Sequence, residues 1–158
     1  MNMKGAILEK GKESYTKLKL FLPIIEEIAS SYNWLLTDID SDYSSKNLDE
    51  KDYDFLSGEE FIKLIKEENY TYAWGVFSAI PRGINIGKVM ETDLPYANGY
   101  TGFWENPITI QNPLATIEMV LWDGELALII SRDEKVTSDF MDYYKLSEDL
   151  ETYNNNKG

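Results

Sequence analysis

Two apolar, β-prone runs, Thr116 to Trp122 and Glu125 to Ser131, are separated only by Asp123 and Gly124. An Asp-Gly pair accommodates the two positive-φ positions of a type I′ turn, whose twist matches that of the strands it joins, so this segment is expected to be a β-hairpin. A two-residue turn would set Leu121 opposite Leu126, Met119 opposite Leu128 and Ile117 opposite Ile130 on one face. The other face would then carry Trp122 with Glu125, Val120 with Ala127 and Glu118 with Ile129. Both faces are largely apolar, which predicts a hairpin covered on one side and partly covered on the other.

The remaining elements are read around that hairpin. Met3 to Glu9 is expected to be a first strand. Leu18, Phe21, Leu22, Ile25, Ile28 and Ala29 recur at helical spacing, with Pro23 either kinking the helix or marking the first turn of a shorter one. Tyr32 to Ile39 reads as a strand with Trp34 and Leu36 on one face and Asn33, Leu35 and Thr37 on the other. Asp40 to Asp54 is rich in turn formers and reads as a surface loop. Ser57 and Glu60 form a capping box that opens a helix carrying Phe61, Leu64 and Ile65 and stopping near Asn69. Tyr70 to Ile80 is the expected central strand, with Tyr72, Trp74 and Val76 pointing one way and Thr71, Ala73 and Gly75 the other.

Pro81 to Pro113 holds four of the five prolines and four glycines, with short strands expected at Ile84 to Val89 and Ile108 to Ile110. A last helix is expected to start near Thr137 or Ser138, before a fraying polar tail, Tyr153 to Gly158. This order predicts one α+β domain over residues 1–152, with an antiparallel sheet whose C-terminal-half hairpin packs against two or three helices. At 158 residues, 43% of them hydrophobic, the chain is long enough and apolar enough for one core.

Composition narrows function. The chain has no histidine and no cysteine, so the side chains that most often do acid/base and nucleophilic work near neutral pH, and the usual soft-metal ligands, are missing. This weighs against catalysis, and no cofactor or metal is expected. The formal charge of −13 is unevenly spread: Asp38 to Glu60 holds nine acids against two lysines, Asp133 to Glu151 seven against two, whereas Met1 to Lys19 has five lysines against two acids. Such a field repels nucleic acid and anionic membranes and speeds encounter with a basic partner; it also serves solubility alone. The apolar run Leu18 to Ile28 is broken by Lys19, Pro23, Glu26 and Glu27, so neither a signal peptide nor a membrane span is expected, and the default location is the cytoplasm.

Two segments are the candidate partner-binding surface. One is the acidic stretch with Asp38, Asp40, Asp42, Asp49, Glu50, Asp52 and Asp54. The other is the aromatic loop with Tyr96, Tyr100, Phe103 and Trp104, whose rings would either anchor an interface or cap the core. The alternation of Asp38, Asp40 and Asp42 resembles the start of a calcium loop, but Tyr43 stands where that loop needs glycine and Asp49 where it needs glutamate. Arg82, between Pro81 and Gly83, would clamp an anion or carboxylate, or form an internal ion pair. Glu105 and Glu118 are the candidates for a two-carboxylate mechanism on a small molecule or glycan.

Tyr32-Asn33-Trp34-Leu35-Leu36 with Asp38-Ile39-Asp40, Trp74-Gly75-Val76-Phe77-Ser78-Ala79-Ile80, Gly102-Phe103-Trp104-Glu105-Asn106-Pro107, and Ile117 to Asp123 with Ile130-Ser131-Arg132-Asp133 resemble a family of small uncharacterised proteins from Bacillus-type bacteria. The resemblance spans about two thirds of the chain. It implies no catalytic residue. It implies a setting among accessory proteins of low-GC bacteria and their phages, where acidic immunity proteins and defence inhibitors are frequent. The expectation is a non-enzymatic acidic binding protein of immunity or inhibitor type, engaging a basic protein such as a toxin or defence protein. The alternatives are a glycan- or small-molecule-active domain and a structural subunit of an assembly; the oligomeric state is left open.

Overall fold

The structure is a computed structural model and describes residues 3–9, 17–43, 45–67 and 70–157. Seven strands form one antiparallel sheet: β1 (Lys4–Glu9), β2 (Tyr32–Ser41), β3 (Tyr53–Ser57), β4 (Tyr72–Pro81), β5 (Ile117–Trp122), β6 (Leu126–Ser131) and β7 (Glu148–Asp149). Their order is β3-β2-β4-β5-β6-β1-β7, so the N-terminal strand crosses the sheet to pair with the end of the chain. Among the described residues, six helices complete a single α+β domain: α1 (Leu22–Ile25), α2 (Lys46–Lys51), α3 (Gly58–Glu67), α4 (Ile86–Val89), α5 (Glu134–Tyr143) and α6 (Leu150–Lys157).

One face of the sheet packs against α3, α5 and the helical turns between Leu18 and Ser31. Trp34 stacks on Phe61 with ring centroids 4.6 Å apart and donates its indole N–H to the Ala29 carbonyl at 3.2 Å. The expected helix over Leu18 to Ala29 is instead three short turns; Pro23 sits in the first turn of α1, where its missing N–H costs no hydrogen bond. Phe21, Ile25 and Ala29 are fully buried, so the apolar spacing was right although the helix is broken. The capping box forms as expected: Glu60 N donates to Ser57 Oγ at 3.1 Å and Ser57 N to Glu60 Oε1 at 2.8 Å.

The opposite face lies under residues 82–115 and α6. Ile108 and Ile110 are buried there, but neither belongs to a strand, and the expected strand at Ile84 to Val89 is the helical turn α4, capped by Asn85 Oδ1 on the Lys88 N–H. Proline-rich chain covers this face with side chains rather than with a ladder.

Strand register and element bounds differ from expectation at several places. The hairpin turn has Asp123 and Gly124 at φ 51° and 68°, with Glu125 N on Trp122 O at 2.9 Å, but pairing resumes one residue later, at Trp122 with Leu126. Glu125 is the extra residue. The slip moves Leu128 and Ile130 to the loop-covered face and Ala127 and Ile129 to the helix-covered one. In β4, register shifts against β2 separate Tyr72 from Trp74 and Val76: Tyr72 faces the helices, edge-on to Phe77 at 5.5 Å, while the other two face the loops. Gly75 leaves the space that the Phe77 ring fills, since a Cβ there would lie 2.8 Å from it.

The expected loop Asp40 to Asp54 contains α2 and the start of β3. Ser45 caps α2, its Oγ accepting from Leu48 N at 3.1 Å. Asp54 is buried and accepts from the Tyr43 hydroxyl, Asn47 Nδ2 and Phe55 N at 2.9, 3.0 and 2.9 Å, which is how a carboxylate sits inside a strand. At the C-terminus, α6 replaces the fraying tail from Tyr153 to Lys157. Asp149 caps its first turn through Thr152 N at 3.0 Å, and Leu150 and Tyr153, one turn apart, are both buried. The helix expected near Thr137 begins three residues earlier, at Glu134, capped by Asp133. Among the described residues no helix is long and apolar enough to cross a membrane.

Candidate functional site

The acidic segment and the start of the aromatic loop meet at one place. Between Thr37 and Asp40, β2 carries one residue more than the β4 residues it faces, and Asp38 takes up that bulge at φ 50°, a conformation aspartate tolerates. The turn swings the Asp38 carboxylate toward the loop. Its Oδ2 accepts from Ala97 N at 2.8 Å and Asn98 N at 2.9 Å. Gln111 holds the neighbouring residue from both sides, accepting from Tyr96 N at 3.2 Å and donating to Tyr96 O at 2.7 Å. Tyr96 is thereby presented on a fixed backbone with its side chain exposed.

An open groove of about 340 Å³ results, lined by Thr37, Asp38, Ile39, Leu48, Asp52, Leu94, Pro95 and Tyr96. Helix α2 supplies the second wall. Asp52 ends that helix in the left-handed conformation at φ 65°, its N–H on Leu48 O at 3.2 Å, which leaves its side chain exposed. The groove has apolar sides and two carboxylates, and among the described residues no lysine or arginine lines it.

The other expected acids separate into two groups. Asp40, Asp42, Asp49 and Glu50 are exposed on the β2 end and α2 and make no ion pair among the described residues, so they contribute field. Asp54 is withdrawn into the fold by its three hydrogen bonds and is corrected from binding residue to structural residue. Burial, and then the Asp54 carboxylate it donates to, push the Tyr43 phenol well above its ordinary value. Among the described residues, no cluster of three or more acids is arranged to hold a metal ion.

The aromatic loop resolves mostly in favour of capping the core. Phe103 is buried, 5.9 Å from the Trp122 ring and 4.6 Å from Tyr100, and Trp104 packs against Trp122 at 5.1 Å and Tyr153 at 6.0 Å. Tyr100 bridges Tyr96 and Phe103, half-buried. Only Tyr96 of the four offers a largely free ring. Arg82 makes internal contacts: its Nη1 donates to Ser30 O at 3.0 Å and lies 3.4 Å from Glu59 Oε1, joining α3 to the turn before β2.

Glu118 and Glu105 do not share a cleft. Glu105 is exposed, whereas Glu118 is 0% exposed on the loop-covered face of β5. Glu118 Oε2 accepts from Gln111 N at 3.1 Å, while its Oε1 has no hydrogen-bond partner among the described residues. Burial pushes this carboxyl up to about 8, against the smaller opposing effect of the Gln111 and Asn112 N–H groups. It is therefore a neutral acid at pH 7, and Gln111 links it to the Tyr96 backbone.

Sequence reasoning passed over Thr37, Leu48 and Gln111. Thr37 reads as an ordinary strand residue and Leu48 as a lone apolar residue in a polar run; only the extra residue in β2, hinted at by Asp-Ile-Asp, brings them to one groove. No known protein family, curated protein or solved structure matches the chain.

Proposed function

We propose that this protein is a non-enzymatic, cytoplasmic binding protein of immunity or inhibitor type that engages a basic protein partner through α2, the β2 end and the groove between them. The observation that carries the reading is the meeting of Asp38 and Asp52 with Tyr96, residues drawn from segments about 50 positions apart in sequence, on one open surface. Asp40, Asp42, Asp49 and Glu50 add exposed negative charge at the β2 end and on α2, and among the described residues no lysine or arginine lines the groove. Such a surface attracts cations over roughly one Debye length, about 8 Å at physiological salt, and discriminates against anionic partners. Glu105 is exposed while Glu118 is wholly buried and the two share no cleft, which weighs against the two-carboxylate alternative, since that mechanism needs both at one site.

The test is capture of partners from a Bacillus-type lysate on immobilised protein at about 50 mM and about 300 mM salt, where screening of exposed charge differs strongly. A retained protein of basic pI, lost at the higher salt and lost with Asp49→Asn/Glu50→Gln/Asp52→Asn, is expected. The control Asp139→Asn/Asp142→Asn on α5 lowers the charge elsewhere and should bind normally. Salt-insensitive retention, or equal loss with both variants, would overturn the reading.

A further inference from the structure

We propose that the groove seats the guanidinium of an arginine side chain presented by the basic partner, which rests on the function proposed above and names the group it recognises. Two carboxylates at the groove, and one hydroxyl buried in its lining, are left with acceptor capacity. Asp38 uses Oδ2 for two backbone N–H groups, which fixes its plane, and its Oδ1 has no partner among the described residues. Asp52 makes no ion pair or side-chain hydrogen bond among them. Thr37, at 1% exposure, belongs to the groove lining, and its Oγ1 is also without a partner among the described residues. A buried hydroxyl in that condition costs free energy that a donor would return.

Acceptors in excess over donors call for a ligand that only donates. Of the cationic side chains, arginine brings five N–H groups in a flat fork and no acceptor, whereas lysine brings one compact charge. The free oxygens belong to two elements, β2 and the residue that ends α2, and a planar fork of several donors can serve more of them at once than a single ammonium. Ile39, Leu48, Leu94 and Pro95 give the methylene stem an apolar wall, and the exposed Tyr96 lines the same groove. A divalent metal is served less well: two carboxylates would leave most of its coordination to water, and the apolar walls that suit a methylene stem offer such a hydrated ion nothing.

The test is titration of the full-length protein with the blocked peptide Gly-Arg-Gly, its Lys and citrulline counterparts, and agmatine as a free guanidinium, followed by backbone amide NMR. The arginine peptide is expected to bind saturably, shifting the Ala97 and Asn98 amides. The lysine peptide should bind at least about fivefold more weakly, because a single ammonium serves fewer of the acceptors at once, and the uncharged citrulline peptide should not bind. Asp52→Asn should weaken the arginine peptide about tenfold and Thr37→Val about threefold, in line with losing a charged and a neutral hydrogen bond, while Asp142→Asn changes nothing. Thr37→Val removes an unpartnered hydroxyl without changing shape, so the fold should survive it.

Equal binding of arginine and lysine peptides, shifts scattered over all acidic segments, or failure of agmatine, which carries the same guanidinium and stem, to shift the Ala97 and Asn98 amides would overturn the assignment. Salt-sensitive capture of a basic partner that Thr37→Val/Asp52→Asn leaves untouched would overturn it too, while the acidic-face reading stood. Salt-insensitive capture by the unmodified protein would instead bring down that reading.

Discussion

The two faces of the sheet solve burial differently. On the helix-covered face the core is apolar throughout, and the buried polar groups at its margin are bonded: Asp54 three times, Ser131 Oγ by Asp133 N at 2.9 Å, and Thr137 Oγ1 to Glu134 O at 3.1 Å. On the loop-covered face Thr37 Oγ1, Ser78 Oγ and Glu118 Oε1 are buried with no hydrogen-bond partner among the described residues, and Ser78 and Glu118 are direct cross-strand neighbours. A polar atom in that position destabilises by about 1–3 kcal/mol. The first face holds the fold together; the second gives up stability to keep polar atoms close beneath the segment that builds the groove.

The comparison is most readily broken by large truncations. Trp34→Ala removes a wholly buried indole stacked on Phe61 and should cost about 3–5 kcal/mol in urea denaturation. Phe103→Ala, under loops that can close over the gap, should cost about 1–2 kcal/mol less. Equal costs would show that the loop cover is as unyielding as the helices.

Glu118 sharpens it next, with the opposite sign. The folded state holds its proton up to about pH 8, whereas an unfolded chain releases it near the ordinary 4.5. Between those values the unfolded state binds fewer protons, so stability falls as pH rises. Glu118→Gln carries no such proton and should be more stable than the parent at pH 8, on the order of 3 kcal/mol, and little changed at pH 4.5. Denaturation midpoints at both pH values decide it; parallel pH profiles would show that the carboxyl is ionised in the fold. The smallest effect is Ser57→Ala, which removes one half of the capping box at the start of α3 and should cost about 1 kcal/mol, lowering the melting temperature by a few degrees.

Local chemistry was legible where one residue type has one use. Ser57 with Glu60, Asp123 with Gly124, and the alternation of Trp34, Leu35 and Leu36 each led to the observed element. The hairpin register was not, because Leu126 and Ala127 are both apolar and either can follow the turn; only packing on two sides chooses. Strand β3 was hidden by Asp54, whose charge reads as solvent-facing until Tyr43 and Asn47 are seen to bond it. Of the candidate site, Asp38, Asp52 and Tyr96 stood out by type, but their proximity depends on an inserted residue in β2 that no periodicity reports. Phe103 and Trp104 looked identical to Tyr96 in composition, and only burial separates them.

The strand at one border of the sheet has a consequence for how copies of this molecule meet. Its two residues, Glu148 and Asp149, are both acidic, and they stand beyond β1, the last full-length strand on that side. A neighbouring molecule trying to extend the ladder there would find too little backbone to grip and like charge facing it. At this margin the short, acidic strand discourages edge-to-edge pairing between copies.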